Sequence, residues 1–283
     1  MEGSGYHKTV RGKVFTAANG LVMLAITIVY MLPFYVAFAF SFKTDLQIAQ
    51  NPLGFPTEFH FSNYLRAIEV SNFFQAFRNS AIVTVIGVII IMVVSAQAAY
   101  VLARNKNKIY SFIYYMFLAS IMVPFQMVMF PLYRNFFNWG LTGNLHGLIL
   151  AISGFQVGFN VFLYTGYVRS VPKEIEESAR IDGCGQYRTF WQIVFPVMKP
   201  VNITVAVLTA LAFWNDFTLS LIFVNNERVR TLPLVQYSFI GQYGADLPKA
   251  FAAVMMMMVP MLIFYVIAQK YIVSGAAAGA IKG

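Results

Sequence analysis

Cysteine is almost missing from this chain. The single Cys184 cannot form an internal disulfide, and no CxxC pair or Cys/His cluster exists. Histidine is as scarce. His7, His60 and His146 are scattered, which gives no metal-ligand spacing and points to loop or interface positions. Charge is also in short supply, at 11% of residues against roughly 25% in a soluble domain, so water is not the main solvent for this surface. No basic patch is interleaved with aromatics, and the net charge of +9 therefore needs no nucleic acid to explain it. There is no GxxxxGK[ST] loop to cradle phosphates. Gly5-Tyr6-His7-Lys8-Thr9 lacks the Gly immediately before Lys, so this chain is not its own ATP-driven motor. A convergent His/Cys/Ser set, which a membrane enzyme would need, is missing as well.

What is abundant is apolar. Hydrophobic residues make up 59% of the chain, and the mean hydropathy is +0.65. Runs of about 20 apolar residues can cross a hydrocarbon core roughly 30 Å thick. Inside lipid every backbone N–H and C=O must be paired within the protein, which leaves helices or a closed barrel. Long runs without dyad alternation decide for helices. The expectation is an all-α polytopic membrane protein with six spans at Val14–Phe42, Phe77–Ala103, Ile109–Tyr133, Leu145–Val168, Val201–Val224 and Phe251–Gln269. The first run is too long for a cleaved signal peptide, and no small-residue cleavage site follows it. Pro33, Pro124, Pro131 and Pro260 fall inside these runs and read as kinks.

An even number of spans puts both ends on one side. Lys8, Arg11 and Lys13 precede the first span, and Arg104, Lys106 and Lys108 join the second to the third. Arg169, Lys173, Arg180, Arg188 and Lys199 join the fourth to the fifth, and Lys270 and Lys282 follow the last. The opposite side holds only Lys43, Arg66, Arg78, Arg134, Arg228, Arg230 and Lys249. The positive-inside rule places both termini in the cytoplasm.

The connection over residues 169–199 carries the sharpest pattern. Pro172 suits a first helical turn, and Glu174, Glu176 and Glu177 put negative charge where the helix dipole favours it. Gly183 and Gly185 supply a stop and a turn around Cys184. Tyr187, Phe190, Trp191 and Val194 then recur at i, i+3, i+4 and i+7, which predicts a second, amphipathic helix. Such a pair is either a docking surface for a soluble partner or a solvated interfacial hairpin.

This segment resembles the EAA loop of bacterial binding-protein-dependent ABC importer permeases. The loop pattern reads here as Glu177-Ser178-Ala179, three residues, Gly183, nine residues, Ile193, one residue, then Phe195-Pro196. Ser178 replaces Ala in the middle of the triplet, and Phe195 replaces Leu. Glu177-Ser178-Ala179-Arg180-Ile181-Asp182-Gly183 resembles the carbohydrate branch, in the subfamily of the smaller maltose-type permease subunit. Asn79-Ser80, Tyr100-Val101-Leu102-Ala103-Arg104, Trp214-Asn215-Asp216 and the glycine- and alanine-rich tail from Gly275 are similar to that branch too.

The resemblance implies a type I ABC importer permease fold in a bacterial cytoplasmic membrane. Residues 1–76 would form the N-tail, first span and outer loop, 77–270 the core transport domain, and 271–283 a cytoplasmic tail. Glu174, Glu176, Glu177, Ser178, Ala179, Arg180, Ile181, Asp182 and Gly183 would form a coupling helix on an ATPase subunit, with Ile193 and Pro196 behind it. The implied partners are a second homologous permease, two ATP-binding cassette ATPases and an extracytoplasmic sugar-binding protein. ATP and Mg would be bound by the ATPases, with no cofactor in this chain. In that subfamily the tail reaches into the ATPase dimer, which would engage Ser274–Gly283.

Asp216 is the only acidic residue inside an expected span, and an ionisable group there costs at least ~2.5–3.5 kcal/mol unless it faces a cavity or partner. Trp214, Asn215 and Asp216 either line a sugar path or mark a helix break or permease contact. Gln126, Gln156 and Asn160 read as interhelical hydrogen-bond glue or as further path residues. Gly154-xxx-Gly158 is a close-packing signal, and Met255–Met258 is adaptable core or a partner surface. An ion-coupled secondary transporter or channel would want several intramembrane ionisable groups and inverted repeats. One Asp and no visible repeat argue against it.

Overall fold

Apolar runs form helices here because only a helix satisfies its own backbone in lipid. The computed structural model describes residues 10–241 and 244–280. In chain order the helices are α1 (Val10–Phe42), α2 (Asp45–Gln50), α3 (Ser62–Ser71), α4 (Phe73–Arg104), α5 (Lys108–Ile121), α6 (Phe125–Asn138) and α7 (Leu145–Val168). There follow α8 (Glu174–Ile181), α9 (Gln186–Thr189), a π-helical turn at Phe190–Val194, α10 (Phe195–Val197), α11 (Lys199–Trp214) and α12 (Thr218–Phe223). A two-residue antiparallel ladder, β1 (Ile240–Gly241) on β2 (Gly244–Ala245), precedes α13 (Leu247–Ala280).

Among the described residues α1, α4, α7 and α13 are long and apolar enough to cross a membrane, and two bent pairs raise the number to six if each pair is one span. Those pairs depart from the expected continuous spans. The third span is broken into α5 and α6, which meet at 102°. Pro124 does more than kink it. Pro lacks an N–H and disfavours helical geometry at the preceding residue; here α5 stops at Ile121 and Pro124 takes the N-cap of α6. The fifth span does not run to Val224: α11 ends at Trp214 and meets the 186–197 segment at 79°.

The chain divides into two compact units, Met1–Ala67 with Phe239–Met255, and Ile68–Ser238 with Met256–Gly283. In the first, Phe42 at the end of α1 packs edge-on against Phe59 and Phe61 at 5.1 and 5.2 Å. Lys43, expected as an outer surface charge, is buried. Its ammonium donates to the carbonyls of Asn51, Pro52 and Gly54, which fold the 51–54 turn around it.

In the second unit α4, α7 and α11 form the core, with Val83, Ile91, Leu148, Ile152, Val201 and Val205 buried among them. Small residues permit this closeness. A Cβ on Gly87 of α4 would collide with the Phe213 ring of α11, and one on Gly158 of α7 would lie 2.8 Å from the Phe117 carbonyl of α5. The predicted Gly154-xxx-Gly158 contact therefore holds at Gly158, while Gly154 faces open space. The helical tail continues in α13 to Ala280. Its last three residues, and the segment with His7 and Lys8, lie outside the described residues.

Candidate functional site

The connection from α7 to α11 folds from its caps inward. The backbone of α7 ends at Val168, and Pro172 stands just outside α8, not in its first turn. Lys173 takes the N-cap, and its carbonyl receives the N–H groups of Glu176 and Glu177. At the other end Gly183 has φ 82°, a left-handed geometry that suits glycine. Cys184 N–H reaches the Ala179 carbonyl at 2.9 Å and Gly183 N–H the Arg180 carbonyl at 3.0 Å, which is a Schellman stop.

The three glutamates of the first turn do not share a role. Glu176 is 4% exposed. Its Oε2 accepts from the Tyr100 hydroxyl at 2.7 Å, and its Oε1 accepts from Arg104 Nε and Nη2 at 2.6 Å each. Arg104 Nη2 also donates to the Val171 carbonyl at 2.9 Å. This buried charge pair is satisfied on both sides, and it ties α8 to the end of α4. Ala179 is buried beside it, and Ile175 packs half-buried on the core. Glu174, Glu177, Ser178, Arg180, Asp182 and Gly183 are exposed, and Ile181 is 87% exposed. An amphipathic helix thus lays one edge on the core and displays the other, with an isoleucine at its tip.

Behind it, α9, the π turn and α10 make the second arm. Phe190 is buried against Tyr100 at 5.1 Å, and the Trp191 ring lies tilted against Phe195 at 5.0 Å. Val194 is buried, Ile193 half-buried and Pro196 exposed. Tyr187, expected on the inner stripe, is 73% exposed. Tyr187 stands in the first turn of α9, ahead of the π turn, where it lines an open cleft with Gln97 and Val101 and is not covered by the core. The sequence reading missed Tyr100 and Arg104 as partners of this loop. Their i, i+4 spacing puts a phenol and a guanidinium on one face of α4, and that was the available signal.

The other candidates are held elsewhere. Asn215 is the C-cap of α11, and the Asp216 carboxylate accepts from Leu219 N–H at 3.1 Å and Ser220 N–H at 3.2 Å. The pair marks a helix break and caps α12. Trp214 is buried edge-on to Phe77 and borders an apolar cavity of about 540 Å³ with Val88, Ala206 and Phe264. Asn160 is buried, donates to the Gln156 carbonyl at 2.8 Å and accepts from Thr209 of α11 at 3.3 Å, an interhelical link. Gln126 is exposed on α6. Among the described residues no three His, Cys, Asp or Glu side chains gather to hold a metal ion.

Residues 95–275 match the family described as binding-protein-dependent transport system inner membrane component. The chain is 36% identical over 264 residues to the probable starch degradation products transport system permease protein AmyC of Thermoanaerobacterium thermosulfurigenes, covering 92% of this chain and 94% of that one. It is 31% identical over 278 residues to the melibiose/raffinose/stachyose import permease protein MelC of Bacillus subtilis (strain 168), covering 98% and 99%. Among solved structures, a chain of a bacterial ABC transporter involved in the import of the acidic polysaccharide alginate superposes with a TM-score of 0.82 at 21% identity, covering 93% of this chain and 98% of that chain. That likeness bears on the fold.

Proposed function

Since the chain belongs to the binding-protein-dependent transport system inner membrane components, we propose that it is a carbohydrate-translocating permease subunit of an ABC importer, driven through α8 by separate ATPase subunits. The sugar reading draws on relatives named for the transport of starch degradation products and the import of melibiose, raffinose and stachyose. The observation that carries the coupling reading is the split of α8 into a clamped edge and a displayed edge. Glu176 fastens the helix to α4, while Ile181 stands out in solvent at the turn. An apolar side chain so exposed at the tip of a charged helix suits a cleft on a soluble partner.

In this reading two ATPases bind ATP and Mg, a second permease completes the pore, and a sugar-binding protein delivers substrate from outside. Positive charge puts the α7–α11 connection and both termini in the cytoplasm. ATP-driven closure shifts α8, and the clamp passes that displacement to the core, which alternates between outward and inward access. The driving energy is the ATPases' differential affinity for the two arrangements. Glu176 and Ala179 serve as the attachment, and Glu174, Glu177, Ser178, Arg180, Ile181 and Asp182 as the contact face. Trp214–Asp216 and Asn160 act as structural elements of the core.

The test is Ile181→Asp in the assembled transporter, reconstituted in proteoliposomes and supplied with labelled maltotriose or raffinose. The expected outcome is loss of ATP-dependent uptake and of ATPase co-purification, with the thermal unfolding of the chain unchanged. Undiminished uptake with the ATPase still bound would overturn the assignment of α8.

A further inference from the structure

Four cations converge where α4 ends, α5 begins and α7 ends. Arg104, Lys106, Arg169 and Lys173 line a cavity of about 390 Å³ together with Ser111 and Tyr114. Arg104 is neutralised by Glu176. Among the described residues no carboxylate lies within ion-pair distance of Lys106, Arg169 or Lys173, and all three are exposed. The Arg169 guanidinium lies over the Tyr114 ring at 5.1 Å, which holds it at the cavity. Three uncompensated cations facing one space repel each other and favour an anion between them.

The position says which anion. The cavity sits at the ends of apolar helices, and Tyr110, Tyr114 and Tyr115 cluster on the first turns of α5, where interfacial aromatics mark headgroup depth. On the same helix Ile109, Phe112 and Met116 are 64%, 64% and 57% exposed, an apolar stripe beginning at the level of the cations. A phosphodiester would match the cations, and acyl chains would match the stripe. We propose that this cavity is a binding site for the headgroup phosphate of an anionic phospholipid. Arg169 supplies a planar fork for its oxygens, and Lys106 and Lys173 supply point charges. Lys173 is also the N-cap of α8, so the bound lipid borders the root of that helix.

The experiment uses the full chain in nanodiscs of equal phosphatidylglycerol and phosphatidylcholine, with the lipids retained after detergent extraction read by native mass spectrometry. Phosphatidylglycerol should be retained over phosphatidylcholine. A triple Lys106→Gln, Arg169→Gln, Lys173→Gln variant should lose that preference, by on the order of fivefold per cation. Thermal unfolding in phosphatidylcholine alone should match the parent, and if the triple variant fails to fold, the single Lys106→Gln at its exposed position carries the measurement. Equal retention of both lipids by the parent, or unchanged preference in the variant, overturns the site. Complete displacement by equimolar inorganic phosphate would make it a free-anion site. Loss of ATPase co-purification when the same variant is placed in the assembled transporter, with lipid preference intact, would make it a protein-docking surface. Either of these last results also rejects the proposal.

Discussion

Glu176 and Asp216 are two carboxylates set among apolar helices, and each turns to a partner inside the chain. They do so over different distances. Glu176 closes a contact with residues 72 and 76 positions away and joins α8 to α4. Asp216 accepts from N–H groups three and four residues ahead and closes only the first turn of α12. The same functional group thus works as a tertiary tie in one place and as local punctuation in the other. What decides between them is whether a fixed cation or a free helix N-terminus is nearer.

The largest effect that sharpens this contrast is Glu176→Ala. It leaves Arg104 mostly buried beside no anion and should cost about 3–5 kcal/mol, measured by thermal unfolding in detergent. Replacing Arg104 by Met in the same background should restore part of that loss, because an apolar pair needs no counter-charge. Asp216→Ala should cost less, about 1 kcal/mol for a lost cap, and Asp216→Asn less still, with sugar uptake retained in the Asn variant. Abolished uptake at parental stability in Asp216→Asn would break the comparison and return Asp216 to the substrate path. The smallest effect is expected for Thr209→Val, which removes a neutral tie between α7 and α11. Comparable interhelical bonds average about 0.6 kcal/mol in membranes.

Much of this fold was readable as hydropathy. The limits expected for the fourth span coincide with those of α7, because Asn144 caps its start and the apolar run stops at Val168. The breaks were less legible. Hydropathy continues from Leu211 across Asn215-Asp216 into Phe217–Val224, so the run looks like one span, and only the reading of Asp216 as a cap anticipated the stop at Trp214. Pro124 showed a disturbance in the sequence, but nothing local distinguishes a kink from a turn of 102°. In the loop the glycine stop and the two arms were visible. The inward turn of Glu176 was not, since three glutamates in one helical turn look alike until the helix has a neighbour. Its place beside Ile175 and Ala179 and the spacing of Tyr100 and Arg104 were the clues, and they lie in separate stretches of chain.

The guanidinium of Arg104 grips the side chain of Glu176 and the backbone carbonyl of Val171 together, so α8 and the segment leading into it share one joint with α4. Such a joint has little play. The 32 residues of α4 make a rod of about 48 Å. Gly87, near its middle, is where that rod rests against the ring of Phe213. With that contact as fulcrum, a tilt of about 5° moves each end of α4 by roughly 2 Å in opposite directions. In the proposed coupling, a small stroke at the loop would become an opposite stroke at Phe73.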